Sequence, residues 1–393
     1  MLFWRLVRRT GAFWLPVLVC YGLTFFLAVP LWCRRHPQWC NPRLYDLFRV
    51  PEPNDSDLDD ENFRRSQAAL RSLAEGGSLV DWARPSDAQL SVVVIGKRRP
   101  YPVLNGSPTE LRYLSQVVSR LAHSVRRMGD ESVDLFVCDV DEEAEPFQEA
   151  VHLAKYVRVV KRGRLVLSTD STLDRVFEQE KSDYSFCLGH GLERTADDGH
   201  VLVVQDDALP VDQFESMLRS VLEQLRHRRH RHEYRGRDGS AVLVKLYHPE
   251  AYRKLPWYVH SVCYSLLLTA LVCGLARRTG WRRLGLVLLV YLLLVCWCLG
   301  HRTVSAVRRL LTGGSVYLAS QESCCIPAVV YSRRAAERVV RYLDERVGRA
   351  GYSVDHMLDE MDSVDALATD TNLVRHIGRY TTLRKHPVRA DPW

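Results

Sequence analysis

Three long apolar runs stand out against an otherwise mixed chain. No Asp, Glu, Lys or Arg lies between Ala12 and Leu31, between Pro256 and Ala276, or between Leu284 and Gly300. About 20 apolar residues cross a bilayer as a helix, with a lower limit of roughly 17. The first run follows Arg5, Arg8 and Arg9 and lacks a small-residue cleavage site, so it reads as an anchor rather than a removable signal. The second and third are separated only by Arg277–Arg283 and read as a transmembrane hairpin. The third run is at the short end, where a buried core helix is the alternative.

Outside these runs the pattern alternates between short apolar strands and amphipathic helices. Leu90 to Ile95 is a β-branched run ended by Gly96, which predicts a buried strand. Leu111, Leu114, Val118, Leu121 and Val125 recur at three and four residues and predict a helix after Pro108. Leu135 to Cys138 is a second buried strand, so the three make a βαβ unit with a parallel pair. A helix is expected from Leu173 to Leu188, a strand over His200–Val204, a helix over Val211–Leu225 and a strand over Ala241–Leu246. After the hairpin, Arg334 to Arg346 predicts a helix with Val339, Val340 and Leu343 inward. Pro51 to Asp60 reads as a linker and Glu61 to Leu79 as a stalk helix. There are no internal repeats.

These elements give an α/β fold with this organisation: tail and anchor 1–33, stem 34–88, a first part of the soluble domain 89–255, the hairpin 256–300, and a second part 301–393. The four Arg of the 277–283 loop favour the cytosolic side. Parity then puts the N-terminus with that loop and the bulk of the chain in a lumen.

Composition changes the picture little. At 26% charged and 47% hydrophobic residues the chain is built to fold. Its net charge of +7 is spread rather than gathered in one block, which argues against a nucleic-acid partner. A lumenal side matters for the cysteines, since disulfides persist in oxidising compartments. Cys33 and Cys40 are candidates for a pair, Cys138 and Cys187 read as simply buried, and adjacent Cys324 and Cys325 read as a vicinal disulfide or two thiols. Asn54 and Asn105 sit in glycosylation-acceptor patterns.

The sharpest chemical signal is Asp206-Asp207 at the carboxyl end of an apolar strand, where open α/β sheets bind ligands. Paired carboxylates repel, and a divalent cation bridging to phosphate relieves that repulsion. The plainer alternative is a turn that caps the helix near Val211. His376 is either a second metal ligand or a packed histidine, and Asp355 either a general base or a helix cap. The basic run Arg226–Arg237 is a solvated helix end or a contact for anionic headgroups.

Five segments taken in order resemble a known family: Glu180–Leu188, Val203–Pro210, Val244–Glu250, Ala319–Ala328 and Asn372–Gly378, with the hairpin between the third and fourth. They are similar to the Golgi N-acetylgalactosamine transferases that modify glycosylphosphatidylinositol (GPI) anchors after attachment to protein. The resemblance implies a GT-A-like glycosyltransferase fold split by the hairpin. It also implies UDP-GalNAc as donor, Mn²⁺ (or Mg²⁺) as cofactor, the first mannose of the anchor on GPI-anchored proteins as acceptor, and a Golgi membrane location. By position it places Asp207 and His376 on the metal, and Gly96, Gln205, Asp206, Ile326 and Pro327 about the donor. Asp355 falls on the base. Gln205 replaces the Glu that usually opens the acidic triplet, and Lys97 replaces an Asp after the first strand. Another UDP-sugar such as UDP-GlcNAc, or a GPI-binding relative with weakened chemistry, are the alternatives these departures leave.

Overall fold

The computed structural model describes residues 19–35, 47, 55–80, 88–99, 103–104, 107–108, 111–128, 132–165, 171–234, 241–248, 270, 290–295, 297–298, 310–311, 316, 318–320 and 325–379. The chain divides into two compact units. One comprises Met1–Pro53 and Arg253–Gly313, with Trp393; the other comprises Asn54–Tyr252 and Gly314–Pro392.

In the first unit a helical stretch contains a π-helical turn at Thr24–Ala28 and continues as α1 (Val29–Arg35). Tyr21 and Phe25 pack their rings against Tyr291 at centroid distances of 5.1 and 5.8 Å. The Thr24 and Tyr291 hydroxyls lie 2.8 Å apart. The first apolar run therefore touches the third. Among the described residues no helix is long and apolar enough to cross a membrane. Most of the hairpin, the start of the anchor, the arginine loop and both glycosylation-acceptor asparagines lie outside the described residues.

The second unit is built on a sheet of eight strands among the described residues. They are β1 (Ala88–Gly96), β4 (Val133–Asp139), β5 (Arg158–Lys161), β6 (Thr195–Gln205), β8 (Val242–Lys245), β9 (Leu318–Ser320), β10 (Ala328–Ser332) and β11 (Asp365–Thr369). Two small ribbons pair β2 (Val103–Leu104) with β3 (Ser107–Pro108), and β7 (Ala208–Pro210) with β12 (Val374–His376). The main order is β5-β4-β1-β6-β10-β8-β11-β9. Strands β5, β4, β1 and β6 run parallel, and β10 is antiparallel to both β6 and β8.

The expected βαβ unit is present: α3 (Tyr113–Met128) connects β1 to β4 in parallel register, with Val93 opposite Phe136. Parallel strands are covered on both faces, so their residues are apolar throughout rather than alternating with polar ones. On one face Val92 and Val94 pack with Leu114, Val118 and Leu121 of α3 and with Met217 and Val221 of α6 (Phe214–Tyr234). On the other, Val93 packs with Leu188 of α5 (Thr172–Glu193) and Val339 of α7 (Arg333–Asp344). Two short helices complete the unit, α4 (Gln148–Leu153) and α8 (Val354–Asp359). The result is a mixed α/β domain with a parallel-rich central sheet, which fits a GT-A-like architecture.

Three expectations need correction. The segment read as a linker is partly helical, because α2 runs over Asp55–Gly76. Nor is α2 a free stalk: Leu73 is fully buried and Asp59 forms a buried ion pair with Arg379 at 2.8 Å. Cys138 and Cys187 are buried as expected but are bonded to each other, tying β4 to α5. Short apolar runs mark burial without marking pairing, which is why spacing alone did not reveal the bond. Cys33 and Cys325 each take part in a separate disulfide, while Cys40 and Cys324 lie outside the described residues.

Candidate active site

The chain leaves β1 through α3 to β4 and β5 on one side, then returns to β6 on the other side of β1. That reversal opens a crevice at the carboxyl ends of β1 and β6, the usual ligand position in open α/β sheets. The loop after β1 carries Lys97, Arg98 and Arg99. Directly after β6 come Asp206 and Asp207, both buried.

Arg99 links the two loops. Its Nε donates to Asp206 Oδ2 at 2.9 Å, one terminal nitrogen donates to Asp206 Oδ1, and the other lies 2.9 Å from Asp207 Oδ2. The Tyr113 ring lies beside the guanidinium, 5.8 Å from its centroid to the charged carbon. Burial pushes the Asp206 carboxyl up, against the pull of Arg99. Burial also opposes the charge on Asp207, but Arg99 and His376 outweigh it and hold Asp207 below the usual carboxylate range. The Arg99 cation is favoured by both acids despite its own burial.

The β7–β12 ribbon brings His376 to this pair, since its register sets Ala208 opposite His376. His376 Nε2 lies 3.2 Å from Asp207 Oδ2. The Ile377 N–H donates to the Asp207 carbonyl at 2.9 Å. The chain then passes so near the carboxylate that a Cβ on Gly378 would stand 2.1 Å from Asp207 Oδ2. Glycine is required there by close approach. Behind it, Asn62 of α2 donates to the Ile377 carbonyl at 3.4 Å, and Arg379 holds Asp59.

The neighbouring strand supplies the other expected residues. Strand β10 begins beside the carboxyl end of β6, with Ala328 opposite Val204. The Gln205 N–H donates to the Pro327 carbonyl at 2.7 Å, while Ile326 is buried in the core. Cys325, with φ of 59°, donates its N–H to Asp355 Oδ2 at 3.4 Å. Asp355 sits in the first turn of α8 and also accepts from Ser353 Oγ. It is therefore inside the helix rather than ahead of it. Gly96 ends β1, and its missing side chain is explained by packing: a Cβ would meet Leu114 at 2.9 Å.

Three residues without an assigned role in the sequence reading complete the edge. Lys97 pairs with Asp183 at 3.4 Å, Arg98 pairs with Asp141 at 3.3 Å and with Glu143, and Arg99 pairs with the acidic couple. Three consecutive cations after a strand were the signal that could have revealed this loop. Glu180 of α5 lies within electrostatic reach of Asp355, Lys97 and Asp183. Burial first, then the Asp355 charge, pushes its carboxyl up to about 7.

The expected divalent cation does not fit these residues as they are packed. Arg99 takes both oxygens of Asp206 and one of Asp207. The other, Asp207 Oδ1, is buried and accepts no hydrogen bond among the described residues. His376, the other expected ligand, turns its Nε2 toward the same Asp207 oxygen that Arg99 holds, and the one enclosed oxygen that is left cannot meet the near-octahedral, partly hydrated coordination of a Mg²⁺-like ion.

The acidic pair at the end of β6 and nearly all of the sheet that positions it lie inside residues 90–374, which match the family described as GPI-N-acetylgalactosamine transferase PGAP4, while His376 stands two residues beyond the match. The chain belongs to this glycosyltransferase family.

Proposed function

We propose that this protein transfers N-acetylgalactosamine from UDP-GalNAc to the first mannose of the GPI-anchor core of GPI-anchored proteins, with inversion, in the Golgi lumen. The observation that carries this reading is the buried acidic pair at the sheet's reversal point in a chain of this family. In the reaction the mannose hydroxyl oxygen attacks the anomeric carbon of GalNAc. The bond from that carbon to the β-phosphate oxygen breaks, UDP leaves, and Asp355 takes the hydroxyl proton. The cations of the loop after β1, held in place by the acidic pair after β6, are the groups that would stabilise the charge that develops on UDP. The Cys138–Cys187 bond supports an oxidising compartment. The arginines of the 277–283 loop support a cytosolic hairpin loop, with the N-terminus on the same side and the sheet domain in the lumen. A multi-pass attachment would hold the domain near an acceptor that is itself lipid-borne.

The test is a donor panel on the full-length protein in detergent with a GPI acceptor. UDP-GalNAc should give acceptor-dependent UDP release, and Asp207→Ala should remove it. Faster release from UDP-GlcNAc, or undiminished release by the variant, contradicts the reading.

A further inference from the structure

We propose that the Arg99 guanidinium takes the place of a divalent cation in this site, so that a nucleoside diphosphate binds to a protein-borne charge without metal. The inference rests on the nucleotide-sugar reading above.

Two buried carboxylates side by side need cationic partners, and Arg99 is the one that contacts both, with the His376 ring beside Asp207 as a second polar partner. A guanidinium stays charged at any physiological pH, and its planar fork matches a carboxylate on one side and phosphate oxygens in general. The carboxylates in turn fix its position. A cation anchored in advance costs no reorganisation when the ligand arrives, which is the condition for effective electrostatic stabilisation.

Exchange for a metal ion is disfavoured from three directions. Arg99 contacts three of the four carboxylate oxygens. The fourth is closed off from solvent, and the Gly378 backbone packs directly on the Asp207 carboxylate. Expelling the arginine would also leave buried charge uncompensated until a metal arrived, a strongly unfavourable intermediate.

The flanking residues extend the positive edge. Lys97 and Arg98 leave the same loop, and the Lys97 side chain keeps 33% of its surface exposed even in its pair with Asp183. A diphosphate carries more negative charge than one guanidinium neutralises, and Lys97 and Arg98, held by Asp183 and by Asp141 and Glu143, are the further cations this loop offers. The acidic pair thus has a role that does not require a metal: it is the socket that holds Arg99 at the carboxyl end of β6.

The experiment uses full-length protein in detergent and reads UDP binding by calorimetry, with Mn²⁺ binding read separately by electron paramagnetic resonance. The wild type should bind UDP with dissociation constants within about twofold in EDTA and in Mn²⁺, and should leave the free Mn²⁺ signal undiminished. Arg99→Ala should weaken UDP binding in EDTA at least tenfold. By opening the acidic pair it should also create a Mn²⁺ site that partly restores UDP affinity. Arg99→Lys keeps one charge without the fork and should fall between the two, which covers the case in which the alanine variant does not fold. Wild-type UDP binding that needs Mn²⁺ and disappears in EDTA overturns the proposal while leaving the nucleotide-sugar reading intact. Absence of UDP binding in both conditions overturns both.

Discussion

At the residue scale, Gly378 and Glu180 expose the site's constraints most clearly. A methyl group on residue 378 would stand 2.1 Å from Asp207 Oδ2, and Arg99 and His376 hold that carboxylate from other sides. Gly378→Ala should therefore displace Asp207 and lower kcat/KM at least tenfold, a loss that steady-state kinetics would register. A variant with wild-type kcat/KM would show that the close approach is not needed. Glu180 tests electrostatics. Its carboxyl is pushed from 4.5 to about 7 by burial and by Asp355. A carboxyl raised on folding binds more protons in the native state, so it costs stability progressively as pH rises from about 4.5 to about 7, and fully above that range. Glu180→Gln should match the wild type in acid and exceed it by on the order of 3 kcal/mol above neutrality. Thermal unfolding of both proteins across pH 4–8 checks the slope. Parallel curves would contradict the assignment.

At the element scale, the sequence was most legible where patterns were strong. The β-branched run ending at Gly96 and the three-and-four spacing of Leu114, Val118 and Leu121 each became the expected element, β1 and α3. Less was legible where side chains say little about pairing. Strand β11 is Asp-Ala-Leu-Ala-Thr, which lacks the bulk that marks a strand, and β5 has only four residues at the sheet's edge. The acidic pair and His376 were visible as residues, yet their meeting depends on the three-residue β7–β12 ribbon, too short to have a period. Arg99 was hidden for a different reason. Which of three consecutive cations reaches which acid is settled only by tertiary geometry. The Cys138–Cys187 bond is the element-scale device with a measurable size. It closes a loop of 49 residues, and chain entropy gives it about 4 kcal/mol. Replacing both cysteines with serine should lower unfolding stability by roughly that amount in denaturant titration, whereas a change below about 1 kcal/mol would mean that the reduced chain keeps the same constraint.

At the scale of the whole molecule, the sheet is assembled from both sides of the inserted apolar segments. Strand β10, which follows them in sequence, lies between β6 and β8, which precede them. The acidic pair at the end of β6 and the Cys325–Pro327 turn before β10 are adjacent for that reason. Catalytic competence therefore requires the two sequence segments to fold as one body. The central claim is that the acidic pair beside β10 is the donor site of a GPI GalNAc transferase. It is tested most directly by rescue in cells that lack the GalNAc side chain on GPI anchors. Mass spectrometry of released anchors should show the side chain restored by the wild type and not by Asp207→Ala expressed at the same level in the same compartment. Restoration by the variant, or no restoration by a correctly located wild type, would contradict the claim.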